Sequence, residues 1–290
     1  MKLQKLSLIA CLSMGVIMSS CGDSTKQKEV PADTDETTEM MEKAPEYDSA
    51  DAQSMLAAIE YAHGGWGDLW NKGDVEYTYE YRTADGKADI STERYVFATE
   101  ASFGNYKQHE VNVAPAEKGE ITQYFDGENT KVMMDGKLME DPQANGVGDF
   151  LRKANYFWFV MPYKLNDKGT IAKALGSEEY NGKSYDKIEI TYDPAITGKE
   201  QNDIYILYVN PETKLVDRFL FSLPFMGVEA PVIIANYSYE DIAGQMVATK
   251  RTYFMPSPEG GYGEDPSIVQ TLTNVKFENN FTNESIMEMQ

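Results

Sequence analysis

From Val75 onward the hydrophobic period of this chain changes from 3.6 to 2, and no other feature constrains its fold as strongly. Val75, Tyr77, Tyr79 and Tyr81 alternate with Glu76, Thr78, Glu80 and Arg82, so one side of an extended segment is apolar and the other is wet. The pattern recurs along the chain. A second strand is predicted over 88–99 after a turn at Ala84, Asp85 and Gly86, and a less regular third over 103–113. Strands at 120–125, 130–134 and 137–139 turn at Asp126-Gly127 and Asp135-Gly136. Beyond Gly176 the series resumes at 178–180, 185–192, 204–209, 214–222, 232–239, 246–254 and 268–277. Segment 204–209 is apolar on both faces, so it must be covered twice. No repeat of 20 to 50 residues and no linker rich in proline or serine divides these segments. About ten strands therefore belong to one antiparallel sheet.

One stretch breaks the alternation. DFLRKANYFWFVMPYKL, residues 149–165, carries Phe150, Tyr156, Phe157, Trp158, Phe159 and Tyr163. Phe150, Leu151, Ala154, Phe157, Trp158 and Met161 suit a helix from about 147 to 159 that Pro162 halts. A buried strand over 156–160 is the alternative, since aromatic residues also suit sheets. A second short helix is predicted over 170–175, ended by Gly176, which makes a helical insert of about 147–175. Ahead of the strands, Ala52, Met55, Leu56, Ile59 and Ala62 form an apolar stripe on a helix of about 50–63, with Asp48 and Ser49 as caps and Gly64-Gly65 as its stop. Trp66, Leu69 and Trp70 follow as an aromatic lid. The expected fold is mainly β (α+β): a strongly curved antiparallel sheet or half-open β-barrel, covered by an N-terminal helix and a central helical insert. The insert either lids that sheet or plugs it. At 290 residues, 42% hydrophobic, the chain has material for a substantial core.

The first twenty residues combine Lys2 and Lys5, an apolar run from Leu6 to Met18, and Ser19-Ser20 before Cys21. This order is a secretion signal, with an apolar part too short for a stable membrane span. It resembles a bacterial lipoprotein signal with a lipobox, with Met18 where the pattern more often has Leu. The resemblance implies cleavage before Cys21 and acylation, for example with palmitate, of that residue. Cys11 would leave with the signal, so the mature chain would keep no free thiol for a disulfide, a metal or a nucleophile. Of the 26 bases, removal of Lys2 and Lys5 leaves 24 against 47 acids. Such a balance repels nucleic acid and anionic headgroups, so membrane attachment falls to the acyl chains. Residues 22–48 hold nine acids, three lysines and two prolines. They read as a disordered tether spanning roughly 28 Å. The expected organisation is a signal peptide over 1–20, a lipidated cysteine and acidic tether over 21–48, and a single domain over 49–290.

The element order resembles the lipoprotein-carrier fold of the LolA and LolB proteins of Gram-negative envelopes. HGGWGDLW at 63–70, FWFVMPYKL at 157–165 and YVNPETKLVD at 208–217 are similar to segments of an uncharacterised envelope lipoprotein family related to that fold. The resemblance implies an incomplete barrel whose covered interior takes acyl chains. It also implies a cell-envelope location, in the outer membrane on its periplasmic or surface face. Gly22 in the second mature position does not resemble the aspartate that commonly retains lipoproteins in the inner membrane. The long acidic tether and the lack of a basic patch depart from the carriers, which counts against moving lipoproteins and is compatible with binding an apolar ligand.

Residues suited to chemistry are few. His63, beside two glycines at a helix end, reads as a capping group for free carbonyls. His109 lacks the spacing of a metal motif. No GxSxG, GxxxxGK[ST] or GxGxxG follows a strand, which leaves nucleophile-elbow, P-loop and dinucleotide chemistry without support. Neither a cofactor nor a metal site is expected. Glu259, Glu264 and Asp265 share a glycine-rich loop, SPEGGYGEDP, that reads as solvated; binding calcium or a sugar, or serving a carboxylate-based hydrolase, are the alternatives for it. Trp66, Trp70, Phe150, Phe157, Trp158 and Phe159 are the candidate ligand-lining residues, since ligand pockets are concave and mostly apolar; ordinary core packing is the competing role for the same rings. The expectation is a non-enzymatic, membrane-anchored envelope lipoprotein that binds an acyl chain, lipid or other apolar molecule. The alternative is a surface module that binds protein or glycan and has a filled core.

Overall fold

The computed structural model describes residues 43–198, 201–224, 227–257 and 259–288. Cys21, the signal and nearly all of the tether lie outside the described residues. No helix among the described residues is long and apolar enough to cross a membrane.

The body opens with α1 (Ala52–Ala62), whose Met55, Leu56 and Ile59 are buried. Its cap is Asp51, which accepts from Gln53 N at 3.0 Å, and not Asp48 or Ser49; Asp48 instead accepts from Ala50 N one turn earlier. A short α2 (Trp66–Asn71) follows the Gly64-Gly65 turn. Strands β1 (Asp74–Thr83), β2 (Ala88–Val96), β3 (Ala101–His109), β4 (Ile121–Phe125), β5 (Thr130–Met134) and β6 (Lys137–Leu138) then form a meander. Helix α3 (Pro142–Val160) and a 3-10 turn (Met161–Tyr163) interrupt it, as the aromatic stretch predicts. The second half contains β7 (Thr170–Tyr180), β8 (Lys183–Tyr192), a single-turn α4 (Pro194–Thr197), β9 (Tyr205–Val209), β10 (Val216–Leu223), β11 (Val228–Ile242), β12 (Gln245–Phe254) and β13 (Ile268–Phe277).

All thirteen strands join one antiparallel sheet in the order β6-β5-β4-β3-β2-β1-β13-β12-β11-β10-β9-β8-β7. The last strand lies in the middle, where β13 pairs with both β1 and β12 and so unites the two wings. Strands β6 and β7 stand at opposite edges, so the sheet is unclosed. It curves around α3: one side of that helix meets β3, β4 and β5, and its Trp158 stacks on Phe219 of β10 in the opposite wing. A mainly-β, half-open barrel over helices is thus the fold.

Residues 170–175 do not form the expected second helix. They begin β7 and pair with β8 from Thr170↔Tyr192 onward. A segment of six residues fits both periods, and here the partner strand decides. Ala172 and Ala174 turn inward against the core, while Ile171 turns out. Gly176 is no helix stop; it sits at φ +79° where the register shifts, which is a β-bulge. The helical insert therefore ends at Tyr163. Segment 204–209 is covered on both sides as its composition requires. Its outer cover comes from side chains of neighbouring strands, with Arg218 and Lys187 over the Tyr208 ring.

Candidate functional site

Helix α3 divides the interior into two chemically different contacts. Its middle is set on the sheet by Arg152, a fully buried residue. Arg152 donates from Nη1 to Glu93 Oε2 (2.7 Å), from Nη2 to Glu93 Oε1 (3.0 Å) and to Tyr106 Oη (2.7 Å), and from Nε to Gln123 Oε1 (3.1 Å). Glu93 also accepts from Ser91 Oγ at 2.7 Å and from Tyr95 Oη at 3.2 Å. Glu93, Gly104, Gln123 and Val132 follow one another directly across β2, β3, β4 and β5. Two glycines permit this approach. A methyl group on Gly104 would stand 2.7 Å from the Arg152 guanidinium, and one on Gly148 would collide with Val132. Burial works against the charge on Arg152, but the bidentate Glu93 carboxylate outweighs it and holds the guanidinium protonated.

The C-terminal half of α3 makes ring contacts. Phe159 stacks on Tyr77 at 5.5 Å, and Tyr156 meets Tyr95 edge-on at 5.5 Å. On the opposite wing Trp158 lies 5.7 Å from Phe219 and 5.1 Å from Phe221.

Two cavities flank the helix. The larger, about 310 Å³, opens at the seam of the sheet between Phe125 of β4 and Tyr192 of β8, under Tyr156, Phe157 and Val160. Lys164 at its mouth contacts Glu100 and Asp167, each at 3.3 Å. The buried Tyr156 hydroxyl has no hydrogen-bond partner among the described residues. The smaller, about 230 Å³, lies inside the curve of the sheet, and its lining area is largely apolar. Phe150, Leu151, Ala154 and Trp158 form its roof; Tyr79, Tyr81, Tyr106, Phe221, Tyr253 and Gln270 form part of its floor and walls. Burial pushes the hydroxyls of Tyr79, Tyr106 and Tyr253 well above the ordinary tyrosine range, so these three side chains stay uncharged. The seam cavity stands at the lower end of the roughly 300–1,000 Å³ usual for ligand pockets, and the inner one falls below it.

The six predicted lining residues separate. Phe150 and Trp158 border the inner cavity and Phe157 the seam. Phe159 is core. Trp66 packs against that core beneath Lys164, whose Nζ is 4.8 Å from its ring, and Trp70 is 44% exposed; neither borders these two cavities. His63 caps α1, with Nδ1 2.7 Å from Ile59 O, and burial lowers its pKa to about 4, so it acts uncharged and draws nothing from the helix dipole. Glu259, Glu264 and Asp265 are exposed on their loop. Among the described residues no group of three or more His, Cys, Asp or Glu is arranged to hold a metal ion. Arg152 and Glu93 escaped the reading by pattern. The signal for Glu93 was present, because Asp89, Ser91 and Glu93 occupy the inward phase of β2 where apolar residues belong.

The structure thus combines a half-open antiparallel sheet, curved over one long helix, with a cavity on each side of that helix. The chain belongs to DUF6503, a family of unknown function, whose model matches residues 47–228 and so spans α1 through β10. No curated protein matches it. Among solved structures it is similar to a LolA superfamily protein from Nitrosomonas europaea, at 13% identity over 82% of this chain and 97% of that one, with a TM-score of 0.48. It is also similar to a putative outer membrane lipoprotein-sorting protein domain from Vibrio parahaemolyticus (9% identity, 83% and 97% covered, TM-score 0.44). A DUF1329 family protein from Desulfovibrio piger gives 11%, 81% and 95%, with a TM-score of 0.40. The LolA-type resemblance expected from element order thus recurs among these structures. At such identities the chemistry of those proteins remains their own.

Proposed function

We propose that this protein is a non-enzymatic envelope lipoprotein that holds an apolar ligand, such as an acyl chain, between α3 and the concave face of its sheet. The observation that carries the reading is the inner cavity, walled by aromatic rings and roofed by a single helix. A core built only for stability would be close-packed there. The ligand-lining residues on this reading are Trp158 and Phe150, with Ala154 between them on the roof; Phe157 serves the seam. Protein purified from native membranes and analysed by lipid mass spectrometry should carry a stoichiometric apolar molecule. Ala154→Trp, which fills the cavity, should remove it while thermal unfolding stays cooperative. Equal recovery from both proteins would refute the site.

The same reading places the anchor at Cys21, in the outer membrane, with the acidic segment as spacer between membrane and domain. Cys21→Ala should move the protein from the membrane to the soluble fraction, and continued sedimentation with membranes would count against acylation there.

A further inference from the structure

Four arginines are buried among the described residues, and three have clear roles. Arg152 pairs with Glu93; Arg94 pairs with Glu76 at 2.6 Å and donates to the carbonyls of Ile286 and Glu288; Arg218, on the outer face, donates to Asn236 and lies 4.0 Å over the Tyr180 ring. Arg251 is different. It is 3% exposed, it points inward, and its guanidinium lies 5.2 Å from the Tyr237 ring. Among the described residues its one hydrogen bond runs from Nε to Ala248 O at 3.3 Å, and no carboxylate forms an ion pair with it. Removing a cation from water without a partner is costly, and natural interiors tolerate it where a partner arrives or where function demands it.

The position of Arg251 suggests the partner. It stands directly opposite Gln270 in the β12–β13 ladder and two residues from Tyr253 on the same face, and both of those side chains wall the inner cavity. Tyr253 donates to Gln270 Oε1 at 3.2 Å and its hydroxyl lies 3.4 Å from that of Tyr237, so these side chains join across the wall beside the cation. The acid on the cavity wall is already committed. Asp89 accepts from Val111 N and Asn112 N, each at 2.8 Å, and from Asn112 Nδ2 at 3.2 Å. Asp89 is also three strands away along the row Asp89, Tyr81, Gln270, Arg251, which is about 14 Å.

We infer that the ligand of the inner cavity is a single-chain amphiphile with an anionic oxygen head, whose carboxylate inserts between Tyr253 and Gln270 to pair with Arg251 while its tail lies along Trp158 and Phe221. The inference rests on the apolar-ligand reading above and adds the head group to it. A planar guanidinium offers paired donors to a carboxylate, and neighbouring tyrosine hydroxyls add further donors. An alcohol of equal length would fill the same space and leave the cation unpaired.

The test compares decanoate, decanol and decyltrimethylammonium, each below its micellar concentration, binding to the full chain carrying Cys21→Ala, by calorimetry. Decanoate should bind at least tenfold more tightly than decanol, and decyltrimethylammonium more weakly than either. Adding Arg251→Met should bring decanoate to the level of decanol and leave decanol unchanged. Equal affinities for acid and alcohol before that change, a preference for the cation, or an acid preference that survives Arg251→Met would each overturn the head-group assignment while leaving the apolar site standing. If no decyl compound binds, the apolar-ligand reading fails and this inference with it. Should Arg251→Met not fold, the three-ligand comparison decides alone, since its order depends on the charge at this position.

Discussion

The middle of helix α3 and its C-terminal turn use opposite means to grip the same sheet. At the middle the contact is directional: one guanidinium, one carboxylate, an amide and a phenol, on a floor cleared by Gly104 and Gly148. Toward its C-terminus the contact is made by rings, with Phe159 and Trp158 each stacking into a different wing. Hydrogen bonds fix position and fail abruptly when a partner is lost. Aromatic contacts tolerate sliding, because dispersion and ring offset vary gradually with distance. The difference points to a helix pinned near its middle and adjustable toward its C-terminus, and each cavity borders residues beside the pin as well as the ring contacts.

The largest effect that would break this contrast lies in the pin. Arg152→Met and Glu93→Gln should each destabilise the fold by about 3–5 kcal/mol, because each leaves a buried charge or its partners unsatisfied. The double substitution should recover a good part of that loss, since it removes both charges from the interior. Chemical denaturation of the three variants measures the coupling. If the single losses add, the pair is no unit and the pin is ordinary packing.

The sequence makes some of this legible and hides the rest for physical reasons. Inward and outward phases of a strand are local, so β1 reads clearly from Val75, Tyr77, Tyr79 and Tyr81. The partner of β1 is not local: Tyr81 faces Gln270, and nothing in either segment names the other. Helix α3 was legible as a helix from its apolar spacing, while residues 170–175 were too short for period to decide. Arg152 looks like half of a surface Arg-Lys pair until Gly148, one turn earlier on the same face, is seen to sit against Val132. The cavity roof was legible in part, since Phe150 and Trp158 were expected to line a ligand site. Its floor was not, because Tyr81, Tyr253 and Gln270 come from three strands widely separated in the chain.

Protonation supplies a second way to place an unpaired charge inside, and His63 tests it away from α3. Burial holds this histidine neutral, with a pKa of about 4 against an ordinary 6.5. The unfolded chain therefore takes up the proton first as pH falls, so the stability that depends on a neutral His63 is complete above pH 6.5, declines between 6.5 and 4, and levels off below. The slope is about 1.4 kcal/mol per pH unit and the total roughly 3 kcal/mol. His63→Gln can donate to the same Ile59 carbonyl without titrating. Its unfolding free energy should lack this part of the acid decline, and an unchanged slope between pH 6.5 and 4.5 would show that the buried ring carries no such cost.

The smallest effect sharpens the contrast because it comes from the residue next to Arg152. Lys153 pairs with Asp149 one turn earlier at 2.8 Å, a distance as short as those in the buried network, and its ammonium lies 5.3 Å over the Phe125 ring. Both side chains of the pair are about half exposed, however, so water solvates each charge whether or not the other is present, and salt screens what remains. Lys153→Ala should cost less than about 0.5 kcal/mol, and even that should fade at high salt. Two adjacent basic residues on one helix, each on a carboxylate at a similar distance, would then differ several-fold in energy through burial and the bidentate network that burial isolates. If Lys153→Ala instead costs as much as Arg152→Met, the grip of the helix does not depend on which charge is buried, and the account of α3 as pinned from the inside is wrong.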